Sequence, residues 1–101
     1  MDTEEIIRKK YSNLAVSEKA GELLFRQPDA LTIIDECERL GAVVIGMNFW
    51  KWKGDGYMEV NSTDYSSINT LPDATKETID AARELIKDKL PDNADCVSFV
   101  L

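Results

Sequence analysis

The spacing of apolar and polar residues predicts an amphipathic helix over Pro28 to Gly41. Proline suits the first turn of a helix, and glycine commonly ends one in a left-handed conformation. Apolar residues recur at intervals of three and four, as on one face of a helix. The expected core face holds Ala30, Ile33, Ile34, Cys37 and Leu40, and the expected solvent side holds Asp35, Glu36, Glu38 and Arg39.

Three further helices are predicted from end signals. One covers Thr3 to about Tyr11, with acids at its start and bases at its end, and a second runs from an N-capping Ser17 to about Arg26. The last begins at a capping box, Thr70-Leu71-Pro72-Asp73, and continues to about Lys89. Its expected core face is Ala74, Thr78, Ile79, Ala82, Leu85 and Ile86.

Two apolar runs predict interior strands. Ala42 to Ile45 is apolar at every position, which favours a central strand covered on both faces, and Ala94 to Leu101 predicts a second one. The alternation changes phase just after Gly46 and Asn48, and such a change is typical of a β-bulge. The polar stretch 61–70 is expected to be an exposed loop. The fold class is therefore α+β, with N-terminal helices, a β-hairpin, a long helix and a C-terminal strand. Its sheet has three or more strands packed by helices.

The hairpin turn is predicted from cross-strand pairing. A three-residue loop, 54–56, pairs Trp52 with Met58 and Trp50 with Val60, which leaves one face wholly apolar. This register requires a left-handed Gly56 and places Tyr57 on the face opposite the tryptophans.

Length and charge limit the function. A chain of 101 residues forms one domain, 1–101, with no room for a second lobe. Its 19 acidic and 12 basic residues give a net charge of -7, which disfavours nucleic-acid binding. An acidic surface attracts a basic protein, although net charge also serves solubility alone.

Catalytic and metal-binding motifs are not evident. The chain has no histidine, and its two cysteines, Cys37 and Cys96, are widely separated. We therefore expect a protein that is not an enzyme and has no cofactor or metal. The N-terminus does not resemble a signal peptide and no apolar run is long enough to span a membrane, so a cytoplasmic location without membrane contact is expected.

Two groups of residues are candidates for partner binding. The last helix carries an acidic stripe, which we define as Asp73, Glu77, Asp80, Glu84 and Asp88. A solvated helix face is the favoured interpretation, and a landing surface for a basic partner is the alternative. The hairpin and the following loop contribute Trp50, Trp52, Tyr57, Glu59, Asp64 and Tyr65. Aromatic side chains there act as core residues or as binding anchors. The predicted register favours a structural role for the two tryptophans and recognition through Tyr57, Glu59, Asp64 and Tyr65.

Residues 30–67, ALTIIDECERLGAVVIGMNFWKWKGDGYMEVNSTDYSS, resemble small immunity proteins of bacterial toxin systems. The resemblance covers about 40 of the 101 residues. It implies a protein that binds and neutralises a toxin, often a nuclease, without catalysis. Alternatives are a self-associating accessory domain and a small-molecule-binding domain, and both a monomer and a homodimer are compatible with the sequence.

Overall fold

A computed structural model describes residues 2–68 and 72–101 of the chain. Within them the helices are α1 (Thr3–Tyr11), α2 (Gln27–Leu40) and α3 (Ala74–Ile86). The strands are β1 (Ser17–Lys19), β2 (Glu22–Leu24), β3 (Gly46–Trp52), β4 (Tyr57–Asp64) and β5 (Cys96–Val100). Short 3-10 turns occupy Ser12–Leu14 and Pro91–Asn93.

The main sheet is antiparallel, with β3 at its centre in the order β4-β3-β5. β1 and β2 form a separate hairpin, which joins the edge of β5 through a bridge between Phe25 and Val97. The backbone bonds of that bridge measure 2.9 and 2.8 Å. The α+β class and the three-stranded sheet packed by helices are confirmed.

The two faces of the sheet have different covers. Met47, Phe49 and Val97 lie in the same buried cluster as the apolar faces of α2 and α3. Trp50 and Cys96 point to the other face, where Leu24 of the β1–β2 hairpin covers them. The sheet is therefore the middle layer between the helices and the small hairpin.

Helix α2 forms as its sequence predicts. Its N-terminus contains a proline, and Gly41 ends it with a left-handed φ of 69°. The N–H groups of Gly41 and Ala42 donate to carbonyls of the last turn, which satisfies acceptors that the helix leaves free. Four residues of the predicted core face are buried: Ala30, Ile33, Ile34 and Cys37.

The predicted helix over Ser17 to Arg26 is wrong, because this segment is the β1–β2 hairpin. Ala20 and Gly21 both have positive φ, 51° and 79°, as a two-residue hairpin turn requires. Leu24 becomes fully buried against residues distant in sequence. A long-range apolar contact thus outweighs the local helical spacing.

The predicted central strand at Ala42 to Ile45 is also misplaced. These residues form the link from α2, and β3 begins only at Gly46. Ile45 is 37 % exposed although the Val44 side chain beside it is completely buried. The Val44 N–H donates to Thr78 Oγ1 of α3 at 3.0 Å, so a helix side chain replaces a strand partner.

The C-terminal strand is shorter and less enclosed than predicted. β5 covers Cys96–Val100 and, among the residues that the structure describes, has β3 as its one full partner and the Phe25 bridge on its other side. It is a covered edge strand within the described residues, and Val100 is 37 % exposed.

The segment around 61–73 departs from its predicted loop and capping box. β4 continues to Asp64, because Asn61 to Asp64 pair with the first residues of β3. Thr70 and Leu71 of the capping box lie outside the described residues. The helix that follows ends at Ile86, before the predicted Lys89.

A side chain of α2 bonds to the free carbonyl oxygens where α3 ends. Gln27 Nε2 donates to the backbone oxygens of Ile86 and Lys87, at 2.9 Å each. Leu85, predicted to be in the core, is 41 % exposed.

Glu36 was expected on the solvent side of α2 but is only 6 % exposed. Its carboxylate accepts hydrogen bonds from Arg39 and from the Tyr11 hydroxyl at 2.8 Å, with Lys10 at 3.3 Å. Arg39, then Tyr11 and Lys10, lower the pKa of Glu36 to about 2 against the opposing effect of burial. Since Lys10 and Tyr11 belong to the end of α1, this cluster attaches α1 to α2.

Replacement of Ala20 by Asn should stabilise the protein. A left-handed conformation costs a non-glycine residue about 1–2 kcal/mol, and asparagine tolerates it better than alanine. We expect the free energy of unfolding in urea to rise by about 0.5–1 kcal/mol. Gly21→Ala is the matched control and should lower stability, because Gly21 also has positive φ. Equal effects of the two changes would show that the turn does not determine the stability of this hairpin.

Acid should weaken the attachment of α1 through Glu36. The folded-state pKa of about 2 lies below the ordinary value of 4.5, so the unfolded chain binds the proton more tightly. This stability is present above the ordinary pKa and is lost as pH falls toward 2. Urea unfolding across this range should show Glu36→Gln less stable at neutral pH, with the difference from the parent shrinking on acidification. A difference that stays constant with pH would contradict this assignment.

Candidate functional site

The turn between β3 and β4 is tighter than predicted. Trp52 pairs with Tyr57, and the N–H of Lys53 donates to the oxygen of Gly56 at 2.8 Å. Gly54 has the positive φ, 95°, whereas Gly56 does not. The predicted three-residue loop with a left-handed Gly56 is therefore wrong, and the reversal is centred on 54–55.

A β-bulge then shifts the register by one residue. Trp50 pairs with Glu59, but Phe49 pairs with Asn61, so Val60 is the extra residue on β4. The predicted β-bulge is present after Phe49, but its extra residue lies on β4, and the alternation of β3 itself does not change phase. The bulge lets β3 keep regular alternation against β5 while β4 adjusts.

The observed register changes which side chains share a face. Tyr57 and Glu59 lie on the face of Trp50 and Trp52, because directly paired residues point to the same side. The sequence-based register had placed Tyr57 on the other face and Met58 beside the tryptophans. Met58 instead pairs with Lys51 on the opposite face and is 58 % exposed.

Trp50 is a structural residue. It is 8 % exposed, and its indole N–H donates to Ser98 Oγ at 2.9 Å. Ser98 in turn donates to Glu22 Oε1, which also accepts from Asn48 Nδ2 at 2.9 Å. This chain of hydrogen bonds satisfies the buried polar atoms and joins β2 to the main sheet.

Trp52 is the exposed tryptophan of the hairpin. Half of its surface is accessible, and its ring meets the Tyr57 ring edge-on, with 5.1 Å between centroids. Its backbone N–H donates to Asp95 Oδ2 at 2.7 Å. Burial raises the pKa of Tyr57 above its ordinary value, with a further contribution from Cys96. Trp52 is thus held by its backbone bond to Asp95 and its contact with Tyr57, while half of its surface stays accessible.

A groove of about 700 Å³ lies beside this pair. We call it the Trp52 groove; its lining is Arg26, Gln27, Pro28, Trp52, Tyr57, Ala94, Asp95 and Cys96. The start of α2 reaches the groove because Phe25, two residues before the helix, forms a bridge to Val97 of β5. Sequence reasoning missed Arg26 and Asp95, and no local pattern marks them, since a long-range bridge brings their segments together.

Asp64 and Tyr65 do not join this surface. They follow the far end of β4, roughly 20 Å from Tyr57 at about 3.3 Å per residue. Asp64 accepts the Ser66 N–H at 2.8 Å, as in a local turn. Tyr65 packs against the main core, and burial raises its pKa.

The acidic stripe is solvent-exposed along its whole length. Asp80 pairs with Lys76 at 2.6 Å and Glu84 with Lys87 at 3.0 Å, whereas the other three acids have no ion pair among the described residues. Glu77, Asp80 and Glu84 lie on α3, on the helical side of the sheet, whereas Asp73 is its N-cap and Asp88 lies beyond its end at Ile86. Trp52 belongs to the other side of the sheet. The candidate residues therefore form separate surfaces.

The described residues contain no group of three or more histidine, cysteine, aspartate or glutamate side chains placed to hold a metal ion. Within the same part of the chain, no helix combines the length and the apolar character needed to cross a membrane. The chemistry that the Trp52 groove offers is contact through aromatic rings and single charges of each sign.

Comparison of the chain with protein-family models, curated proteins and solved structures finds no match in any of the three.

The two tryptophans should respond differently to substitution. Trp50→Phe leaves a cavity and removes the donor to Ser98, so the free energy of unfolding should fall by about 2 kcal/mol or more. Trp52→Phe keeps an aromatic ring at an exposed site and should change it by less than about 0.5 kcal/mol. Urea unfolding of both variants measures the difference. A larger effect at Trp52 would contradict the assignment of Trp50 as the structural residue.

Proposed function

We propose that this chain is a non-enzymatic binding protein of the toxin-immunity kind, which acts in the cytoplasm and neutralises a basic toxin, such as a nuclease, by occlusion. The observation that carries the proposal is the exposure of large apolar side chains on both faces of one hairpin. Among the described residues, Met58 and Trp52 are the most exposed of that kind, at 58 % and 50 %.

A hairpin with apolar side chains on both faces suits insertion into a cleft. A flat contact would cover Trp52 or Met58 but not both, since they point to opposite sides. Tryptophan is also among the residues that most often dominate interface energies. Insertion into the active-site cleft of a toxin would block its substrate without any reaction.

Charges of both signs are exposed near the hairpin, among them Lys53 and Arg26, and it is the carboxylates that support a basic partner. Glu59 and Asp95 are exposed, and Lys51 is directed to the backbone oxygen of Asn93 at 3.1 Å. A nuclease binds the phosphate groups of its substrate through lysine and arginine side chains. Carboxylates of this chain would compete with the phosphates for those side chains. The acidic stripe supports the proposal differently: its charge would speed the encounter without lying in the same contact, an effect that salt screens.

Capture followed by inhibition tests this function. The tagged chain is used to isolate proteins from the cells that carry its gene, and the toxic or nuclease activity of a basic captured protein is titrated with the purified chain. We expect inhibition at one-to-one stoichiometry, weakened about 30-fold or more by Trp52→Ala, as for an interface residue of about 2 kcal/mol. Leu85→Ala, at an exposed leucine on α3, is the matched control and should inhibit like the parent.

Two results would refute the function. One is the absence of a basic partner together with unchanged sensitivity to toxin after deletion of the gene. The other is inhibition that is insensitive to both Trp52→Ala and Met58→Ala, because the hairpin would then lie outside the contact.

Self-association is the second candidate, and the edge of β4 favours it. Within the described residues β4 pairs with β3 alone, so its outer backbone groups are available for another strand. The bulge at Val60 and the charges of Glu59 and Asp64 oppose antiparallel pairing between two copies. Sizing at several concentrations distinguishes the candidates, since a tight dimer supports assembly and a lasting monomer excludes it.

A further inference from the structure

The Trp52 groove places an exposed indole next to a carboxylate held in position. The edge-on Tyr57 ring supports Trp52, at an interplanar angle of 64°. Asp95 is held twice: its N–H donates to the Trp50 oxygen at 2.8 Å, and its Oδ2 accepts the Trp52 N–H at 2.7 Å. Both groups are therefore in place before any ligand arrives, which lowers the ordering cost of binding.

One oxygen of this carboxylate has no partner among residues 2–68 and 72–101. Oδ2 of Asp95 is used by Trp52, whereas Oδ1 makes no hydrogen bond or ion pair with the described residues. Asp95 is also exposed, so its free oxygen is accessible from the groove. An indole attracts cations to its face, and a carboxylate beside it adds a charge-assisted acceptor.

We propose that Trp52 and Asp95 form a slot for an arginine side chain of the protein partner. The inference rests on the proposed function and names the contact by which a basic partner is recognised. Arginine fits better than lysine, because its planar guanidinium stacks on an aromatic ring and donates to a carboxylate at the same time. The carboxylate supplies the charge complementarity, and the groove of about 700 Å³ supplies the space.

Arg26 lies in the same groove, and its positive charge affects which charge a ligand can carry there. It is exposed, and its guanidinium makes no ion pair or hydrogen bond with the described residues. No hydrogen bond from the described part of the chain positions this guanidinium, whereas two bonds to backbone groups hold Asp95. As a like charge, Arg26 opposes a bound guanidinium, so its removal should strengthen binding and removal of the Asp95 charge should weaken it.

A small probe tests the slot without a toxin. The full chain is titrated with N-acetyl-arginine amide while nitrogen-edited NMR follows the two indole N–H signals. The Trp52 signal should shift saturably and the Trp50 signal, from a buried indole bonded to Ser98, should not. Asp95→Asn keeps an acceptor for the Trp52 N–H and should weaken binding about two- to five-fold. Arg26→Gln should strengthen it, and Asp55→Asn, which removes a charge from the same hairpin outside the groove, should leave it unchanged.

Several results would overturn the slot. They are equal shifts with the neutral N-acetyl-norleucine amide, tighter binding of N-acetyl-glutamate amide with weakening by Arg26→Gln, and no saturable shift up to the solubility limit of the probe. The outcome is separable from that of the proposed function. Saturable arginine binding in a chain that inhibits no toxin supports the slot and refutes the function, whereas inhibition without arginine binding does the reverse.

Discussion

Burial of β3 on both faces is the constraint on which the rest of the structure depends. Met47 and Phe49 are enclosed beneath the helices, and Trp50 is enclosed beneath the β1–β2 hairpin. Strands on both edges take up its backbone groups. A strand that is hydrogen-bonded on both edges and covered on both faces cannot accept an extra residue without disturbing its packing, so a bulge forms in a neighbouring strand instead. The bulge accordingly lies in β4, and the side-chain alternation of β3 against β5 is unbroken.

That arrangement also separates structural from accessible aromatic residues. Trp50 and Trp52 are two positions apart on one face, yet only the first lies under the small hairpin and bonds to Ser98. Trp52 lies beyond that cover, where Tyr57 supports it from one side. The backbone bond to Asp95 and the contact with the Tyr57 ring position Trp52 at the surface. Preorganised aromatic groups of this kind lose little entropy on binding.

The charged residues are distributed over different parts of the molecule. The acidic stripe on α3 is partly neutralised by its own lysines, and Arg83 of that helix bridges to Asp35 and Glu38 of α2. Asp95, by contrast, lies beside Trp52 and is held by backbone bonds. The first group contributes a long-range field that salt screens, and the second a short-range contact. Under the proposed function the two act at successive stages, encounter and docking.

The sequence alone determined the fold class, α1 and most of α2, because helix end signals are local and strong. The bulge was predicted from a change of phase that β3 does not have, since its apolar residues alternate between two covered faces. The sequence did not locate the β1–β2 hairpin, the start of β3, the burial of Glu36 or the neighbours of Trp52. Each of these depends on a contact between distant segments: Leu24 with Trp50, Val44 with Thr78, Glu36 with Tyr11, and Asp95 with Trp52. The spacing of residues along the sequence carries no information about such contacts. Only the tertiary structure therefore decided which aromatic side chain is in the core and which faces the groove.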